Sequence, residues 1–223
     1  MDYSTLSTCQ LFEGLSVQEI EKLFTSVRYK ISRYEKDQPI FHLMDDADRV
    51  AIILHGSVQA QKIFPSGNSM QLTVGQQGDM LGQAAMFSSQ RKYPVELTAL
   101  EPSELMMLDR ENVLNLLHAD VRVLDAFLSE LATATFQLQW RIELLSYSGI
   151  QQKIAFFLLS RSMQSGSSVV RIPGSITKWA LSMNVSRPSL HRELRDLENQ
   201  GLISVAAPHI TIHDPQALRK ILG

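Results

Sequence analysis

VSRPSLHRELRDLENQGLI, running from Val185 to Ile203, has the pattern of a short helix with one buried face. Ser186 is placed to cap it, and Pro188 at the second helical position is tolerated because first-turn N–H groups have no intrahelical partner. Leu190, Leu194 and Leu197 recur at helical spacing and make one apolar face, while Arg187, Ser189, His191, Arg192 and Arg195 occupy the remaining surface. Upstream, Trp179, Ala180 and Met183 fit a second short helix over Ile176 to Met183, with Asn184 at a turn that needs the left-handed conformation Asn tolerates. Two helices joined this way read as helix-turn-helix, whose second helix enters the DNA major groove. Gly201 ends that helix, and Leu202 to Val205 with Ile210 to Ile212 around Pro208 predict a β wing.

A plain three-helix packing unit with solvated arginines would share this pattern, and charge separates the two readings. From Ile150 onward the chain has nine Lys and Arg against four Asp and Glu, net +5, whereas the preceding residues carry twelve against nineteen, net −7. The overall −2 therefore conceals a basic C-terminal part joined to an acidic N-terminal part, as expected when one module meets phosphate.

At 223 residues and 44% hydrophobic, the chain is long enough for two modules with separate cores. It has no apolar run of about 18 residues to span a bilayer, and MDYSTLSTCQ lacks the pattern of a signal peptide, so a cytoplasmic protein is expected. The single cysteine, Cys9, excludes an intramolecular disulfide and any four-cysteine zinc or iron–sulfur site within one chain.

Leu15 to Val27 predicts a short covering helix, with Ser16 and Glu19 in capping-box spacing. Alternation then begins at Val27, Tyr29 and Ile31, and apolar runs follow at Val50 to Leu54, Val58 to Phe64, Met70 to Val74, Val95 to Ala99 and Leu105 to Leu108. Gly56, Pro65-Ser66-Gly67-Asn68, Gly75 and Gly78 punctuate them, which predicts a small β-barrel or jelly roll. Met80, Met86, Met106 and Met107 are suited to filling its core. Asp109 to His118 predicts a brief helix, and a long one begins near Ala119. There Leu124, Leu128, Leu131, Thr135, Leu138, Ile142 and Leu145 hold a heptad spacing over about 33 Å, the seam of a partner helix from a second copy. Tyr147-Ser148-Gly149 breaks the helix before Ile150, Ile154, Phe157 and Leu158 start another. The fold class is thus α+β, with a sensing barrel over residues 1–118, a dimerisation helix and hinge over 119–147, and a winged helix-turn-helix over 148–223.

This order of modules resembles the CRP/FNR family of bacterial transcription regulators over essentially the whole chain, most closely in GDMLGQAAMF (Gly78 to Phe87) and SRPSLHRELRDLENQGLI (Ser186 to Ile203). The resemblance implies a jelly-roll barrel like a cyclic-nucleotide-binding domain and a homodimer on a two-fold DNA site near promoters. RNA polymerase is the further partner, and DNA affinity changes when the barrel binds an effector. Arg187 and Arg192 would read guanine edges or clamp phosphate, Ser186, Ser189 and Lys178 would hold phosphates, and Arg195 would touch the backbone. His191 shares their face, and Pro188 stands where the family commonly carries glutamate, so a cytosine-reading acceptor is lost. Two such helices would enter successive major grooves about 34 Å apart.

In cyclic-nucleotide-binding members, a glutamate after the GD-x-x-G turn binds the ribose, and an arginine followed by serine or threonine binds the cyclic phosphate. Counted without gaps from Gly82, Gln83 takes the glutamate position and Tyr93-Pro94 the arginine-serine positions. Tyr brings no positive charge, and Pro neither hydroxyl nor N–H. A two-residue slip would instead turn Arg91 inward, with Lys92 in place of serine. The effector pocket is accordingly sought among Gly82, Gln83, Ala84, Arg91, Tyr93 and Pro94, with Leu138 and Gln139 where the long helix of the family carries a Thr-Ser pair. Cyclic AMP and GMP fit this cassette poorly, and the cysteine cluster of the iron–sulfur branch is absent. His42, His55 and His118 are the axial ligands that a haem would use. A small organic effector, or none, is the favoured alternative. Two rivals remain: a constitutive DNA-binding protein with a vestigial barrel, and a cupin-type metalloenzyme, for which His42 and His55 lack the H-x-H spacing.

Overall fold

Leu105 and Met107 turn to one face of their strand and Met106 and Leu108 to the other, and all four are buried. On the neighbouring strand Ala51 and Ile53 divide from Val50 and Ile52 in the same way. Because strand side chains alternate, a sheet covered on both faces is written as a continuous apolar run. That is why Val50 to Leu54 and Leu105 to Leu108 show no alternation of polar residues.

The computed structural model describes residues 3–63 and 69–223, which fall into two compact units, Met1–Thr133 and Ala134–Gly223. The turn at Pro65-Ser66-Gly67-Asn68 and the end of its strand at Phe64 lie outside the described residues. In the first unit the strands are β1 (Lys30–Tyr34), β2 (Pro39–Phe41), β3 (Arg49–His55), β4 (Val58–Ile63), β5 (Ser69–Gly75), β6 (Met80–Leu81), β7 (Glu96–Ala99) and β8 (Ser103–Asp109). They form two antiparallel four-stranded sheets, β1-β8-β3-β6 and β2-β7-β4-β5. Between them lies a core that includes Phe41, Ile53, Tyr93, Leu97, Leu105 and Met107, so the sequence's barrel or jelly roll is a two-sheet sandwich.

The outer face of the first sheet is covered by 3-10 turns at Thr5–Thr8 and Gln10–Phe12, by α1 (Val17–Leu23) and α3 (Arg110–Ala119), and by the start of α4 (Val121–Ser146). The capping box forms as its spacing predicts: Glu19 N–H donates to Ser16 Oγ at 3.3 Å and Ser16 N–H to Glu19 Oε2 at 2.8 Å. The helix is shorter than expected, ending at Leu23 with Phe24 as its C-cap. A short α2 (Gln83–Phe87) follows β6.

The second unit holds α5 (Ile150–Ser165), β9 (Val169–Arg171), α6 (Ile176–Ser182), α7 (Arg187–Asn199), β10 (Ile203–Ala206), β11 (His209–Ile212) and α8 (Pro215–Leu222). Trp179, Phe157, Leu190, Leu194, Leu197 and Ile203 share its core. The wing hairpin β10-β11 gains a third strand, β9, on β11. The long helix α4 runs across the division. Val123 and Phe127, with half-buried Leu131, join the first core. Leu144, with half-buried Trp140, joins the second.

Candidate functional site

The turn between α6 and α7 is built from local chemistry. Ser175 Oγ accepts the Lys178 N–H at 3.2 Å and starts α6, and Ser186 Oγ accepts the Ser189 N–H at 3.1 Å and starts α7. Between the helices Asn184 takes a φ of 54°, the left-handed conformation a tight turn requires. Lys153 on α5, which sequence reasoning did not single out, fixes the turn from behind. It is only 8% exposed, and its Nζ donates to the Met183 carbonyl at 3.1 Å, satisfying an acceptor at the end of α6. Its signal was a lysine on the apolar face that carries Ile150, Ile154 and Phe157.

With Leu190, Leu194 and Leu197 buried, α7 presents Arg187, Pro188, Arg192 and Arg195 to solvent, and Ser189 and His191 are half-buried. Lys178 on α6 and Ser186 at the cap are exposed as well. Ser186 and Ser189 also bond to each other, Ser186 Oγ donating to Ser189 Oγ at 2.8 Å. Glu198 Oε1 accepts the Val205 N–H at 2.8 Å and ties the end of α7 to the wing. The arrangement is a cationic helix face on a rigid support, suited to phosphate and guanine edges.

In the first unit, Gly82 adopts a φ of 88° at the start of α2. A side chain there would stand 3.3 Å from the rings of Phe41 and Tyr93 and from the Arg49 carbonyl. Tyr93 is 4% exposed. Its ring stacks on Phe41 at 4.3 Å and 7°, and its hydroxyl donates to the Arg49 carbonyl at 2.6 Å. Burial pushes that phenol up to about 12, so it stays a neutral donor. Arg91 is exposed, with a φ of 47°. The slipped register that turns Arg91 inward is therefore corrected: Arg91 faces solvent, and the aromatic ring of Tyr93 is the side chain turned into the core. Pro94 and Ala84 are exposed. Gln83 leans instead on α4, its Nε2 donating to Glu130 Oε1 at 2.8 Å. Gln83, Arg91 and Tyr93 thus do not share one pocket. Leu138 and Gln139 are exposed on the part of α4 that belongs to the second unit.

Leu128, Leu138 and Ile142 are 54%, 63% and 69% exposed, and Leu124 and Leu145 are exposed beside them. Leu131 departs from this row, half-buried against the first core, and Thr135 lies in it, exposed. His42, His55 and His118 are exposed on separate parts of the chain, and none offers a buried axial position for haem. Among the described residues no three His, Cys, Asp or Glu converge to hold a metal, and no helix is long and apolar enough to cross a membrane. Buried Cys9 has its thiol pushed up to about 12 by burial, which makes it unreactive.

A two-sheet sandwich of the kind that holds effectors, a long helix and a winged helix-turn-helix define a two-domain DNA-binding transcription regulator. Residues 31–120 match the family model of the cyclic nucleotide-binding domain and residues 152–221 that of the Crp-like helix-turn-helix domain. The chain is 25% identical over 196 residues to the global nitrogen regulator of Synechocystis sp., covering 84% of this chain and 86% of that one. It is 21% identical over 211 residues to the cyclic AMP receptor protein of Thermus thermophilus, covering 95% of each. The crystal structure of the Thermus thermophilus catabolite activator protein, 21% identical, superposes with a TM-score of 0.56 over 96% of this chain and 98% of that one. The chain belongs to the CRP/FNR family of transcription regulators.

Proposed function

We propose that the protein is a homodimer that binds a two-fold symmetric site on double-stranded DNA in the cytoplasm. It acts there with RNA polymerase, and its DNA affinity is set through the N-terminal sandwich by a small organic effector other than a cyclic nucleotide. It is a binding protein and not a catalyst. The barrel over 1–118 senses, the helix and hinge over 119–147 pair two copies, and 148–223 reads DNA. The observation that carries the reading is the exposed apolar row Leu124, Leu128, Leu138, Ile142 and Leu145 on α4. Fully burying an exposed side chain of this kind is worth about 1.5–3 kcal/mol, of which the still exposed part of each remains to be gained, and a second copy of the same helix supplies a matching row. Pairing there brings two α7 faces to one duplex.

The departure from cyclic nucleotides rests on Tyr93. Where the family's arginine would face the cyclic phosphate, this chain has a neutral ring already stacked on Phe41 and bonded to Arg49. That packing also favours a second reading, in which the sandwich is vestigial and DNA binding constitutive. Thermal melting of the full-length protein separates them. An effector at 100 times its dissociation constant adds about 2.7 kcal/mol and raises the melting temperature. Fractions of a cell metabolite extract are expected to do so, and cyclic AMP and cyclic GMP are not. No shift from any fraction would establish the constitutive reading.

A further inference from the structure

Arg192 and Glu193 are adjacent on α7, and neighbours in sequence do not ordinarily face each other on a helix. Here they do. Arg192 Nε and Nη2 both donate to Glu193 Oε1, at 3.2 and 3.0 Å. The two side chains differ sharply in exposure, 68% for Arg192 and 17% for Glu193. The other carboxylate oxygen, Oε2, accepts from Gln151 Nε2 on α5 at 2.9 Å. An exposed guanidinium is thus tied, through a largely covered carboxylate, to a second helix of the same core.

A guanidinium is planar and offers separate pairs of N–H donors. The carboxylate engages its side pair, Nε and the near N–H of Nη2. The end pair, Nη1 with the outer N–H of Nη2, faces away from Glu193 and has the spacing that guanine O6 and N7 accept. The tether also offsets the charge that would make Arg192 a general phosphate clamp, and it removes rotamer freedom that binding would otherwise have to remove. We infer that Glu193, anchored by Gln151, is a positioning residue that presents Arg192 end-on to a guanine, making Arg192 a base reader and not a phosphate contact. This rests on the reading of α7 as the DNA-reading helix.

The test is selection of sites from a random duplex pool by full-length wild type, Glu193→Gln and Gln151→Leu, followed by affinity measurements over a salt series. Wild type is expected to require guanine at one symmetric pair of positions. Both variants are expected to weaken that preference about five- to tenfold, leaving the other positions and the salt dependence as they were. In an Arg192→Ala background Glu193→Gln is expected to change nothing further. Undiminished guanine preference in both variants, an equal loss on every sequence, or a full effect of Glu193→Gln without Arg192 would overturn the inference. Failure of the wild type to enrich any site would overturn the DNA reading beneath it, which the variant comparison distinguishes. Gln151→Leu leaves α7 untouched and keeps the test decisive should Glu193→Gln fold poorly.

Discussion

Tyr93 puts a buried, stacked ring between the sheets, and the consequence is measurable at that one side chain. Tyr93→Phe keeps the stack on Phe41 but leaves the Arg49 carbonyl without its 2.6 Å donor. It should cost about 0.5–1.5 kcal/mol in denaturant unfolding. Tyr93→Ala opens a cavity between the sheets and should cost about 3–5 kcal/mol. Glu130 makes a second residue-scale prediction. Burial, opposed by the Gln83 bond and reinforced by Asp79, raises its pKa. The folded state therefore binds this proton at higher pH than the unfolded chain. Its contribution to stability grows as pH falls through the raised folded value toward the ordinary carboxylate value, and is lost as pH rises again. Glu130→Gln should melt higher than wild type at pH 7, with a flatter pH dependence over that window. A lower melting temperature at pH 7 would contradict the assignment. Neither Glu130 nor Glu193 could be picked out from the sequence, because their partners lie 47 and 42 residues away. Tyr93 could, since a motif count reaches it, but only the burial of the segment between α2 and β7 decides between Tyr93 and Arg91 facing inward.

At the scale of elements, the helix-turn-helix was legible because each of its devices is local: Ser186 at the cap, Pro188 in the first turn, Asn184 with positive φ and the Leu190, Leu194, Leu197 face. The pieces that escaped are short. β2, β6 and β9 have three, two and three residues, too few for a period to show, and exist because longer strands beside them supply partners. α8 is eight residues long and is set by Asp214, which accepts the N–H groups of Gln216 and Ala217 at 3.0 and 2.9 Å. One contact that holds the element is not local: Lys153 reaches across 30 residues to the Met183 carbonyl. Lys153→Met should lose about 1.5–3 kcal/mol of stability. It should also weaken DNA binding with all sequences alike, because it loosens the turn that orients α7 without touching a base reader. Unchanged DNA affinity in a destabilised Lys153→Met protein would show that the turn holds without it.

For the whole molecule, the partition of charge and the heptad row point to the same assembly. The acidic part, net −7, would be repelled by phosphate, and the basic part, net +5, would be drawn to it. Leu138→Glu with Ile142→Glu should convert the protein from dimer to monomer in sedimentation, since paired like charges would face each other across the seam. DNA binding should fall with it, because a single α7 reads only a half-site. The most direct test is selection of DNA from a random pool by the purified full-length protein, with buffer alone, with a cell metabolite extract and with cyclic AMP. An inverted repeat whose half-sites lie about one helical turn, ~34 Å, apart should be enriched, more strongly with extract and not with cyclic AMP. Enrichment of no repeat, or cyclic AMP substituting fully for the extract, would contradict a dimeric regulator governed by an effector of another kind.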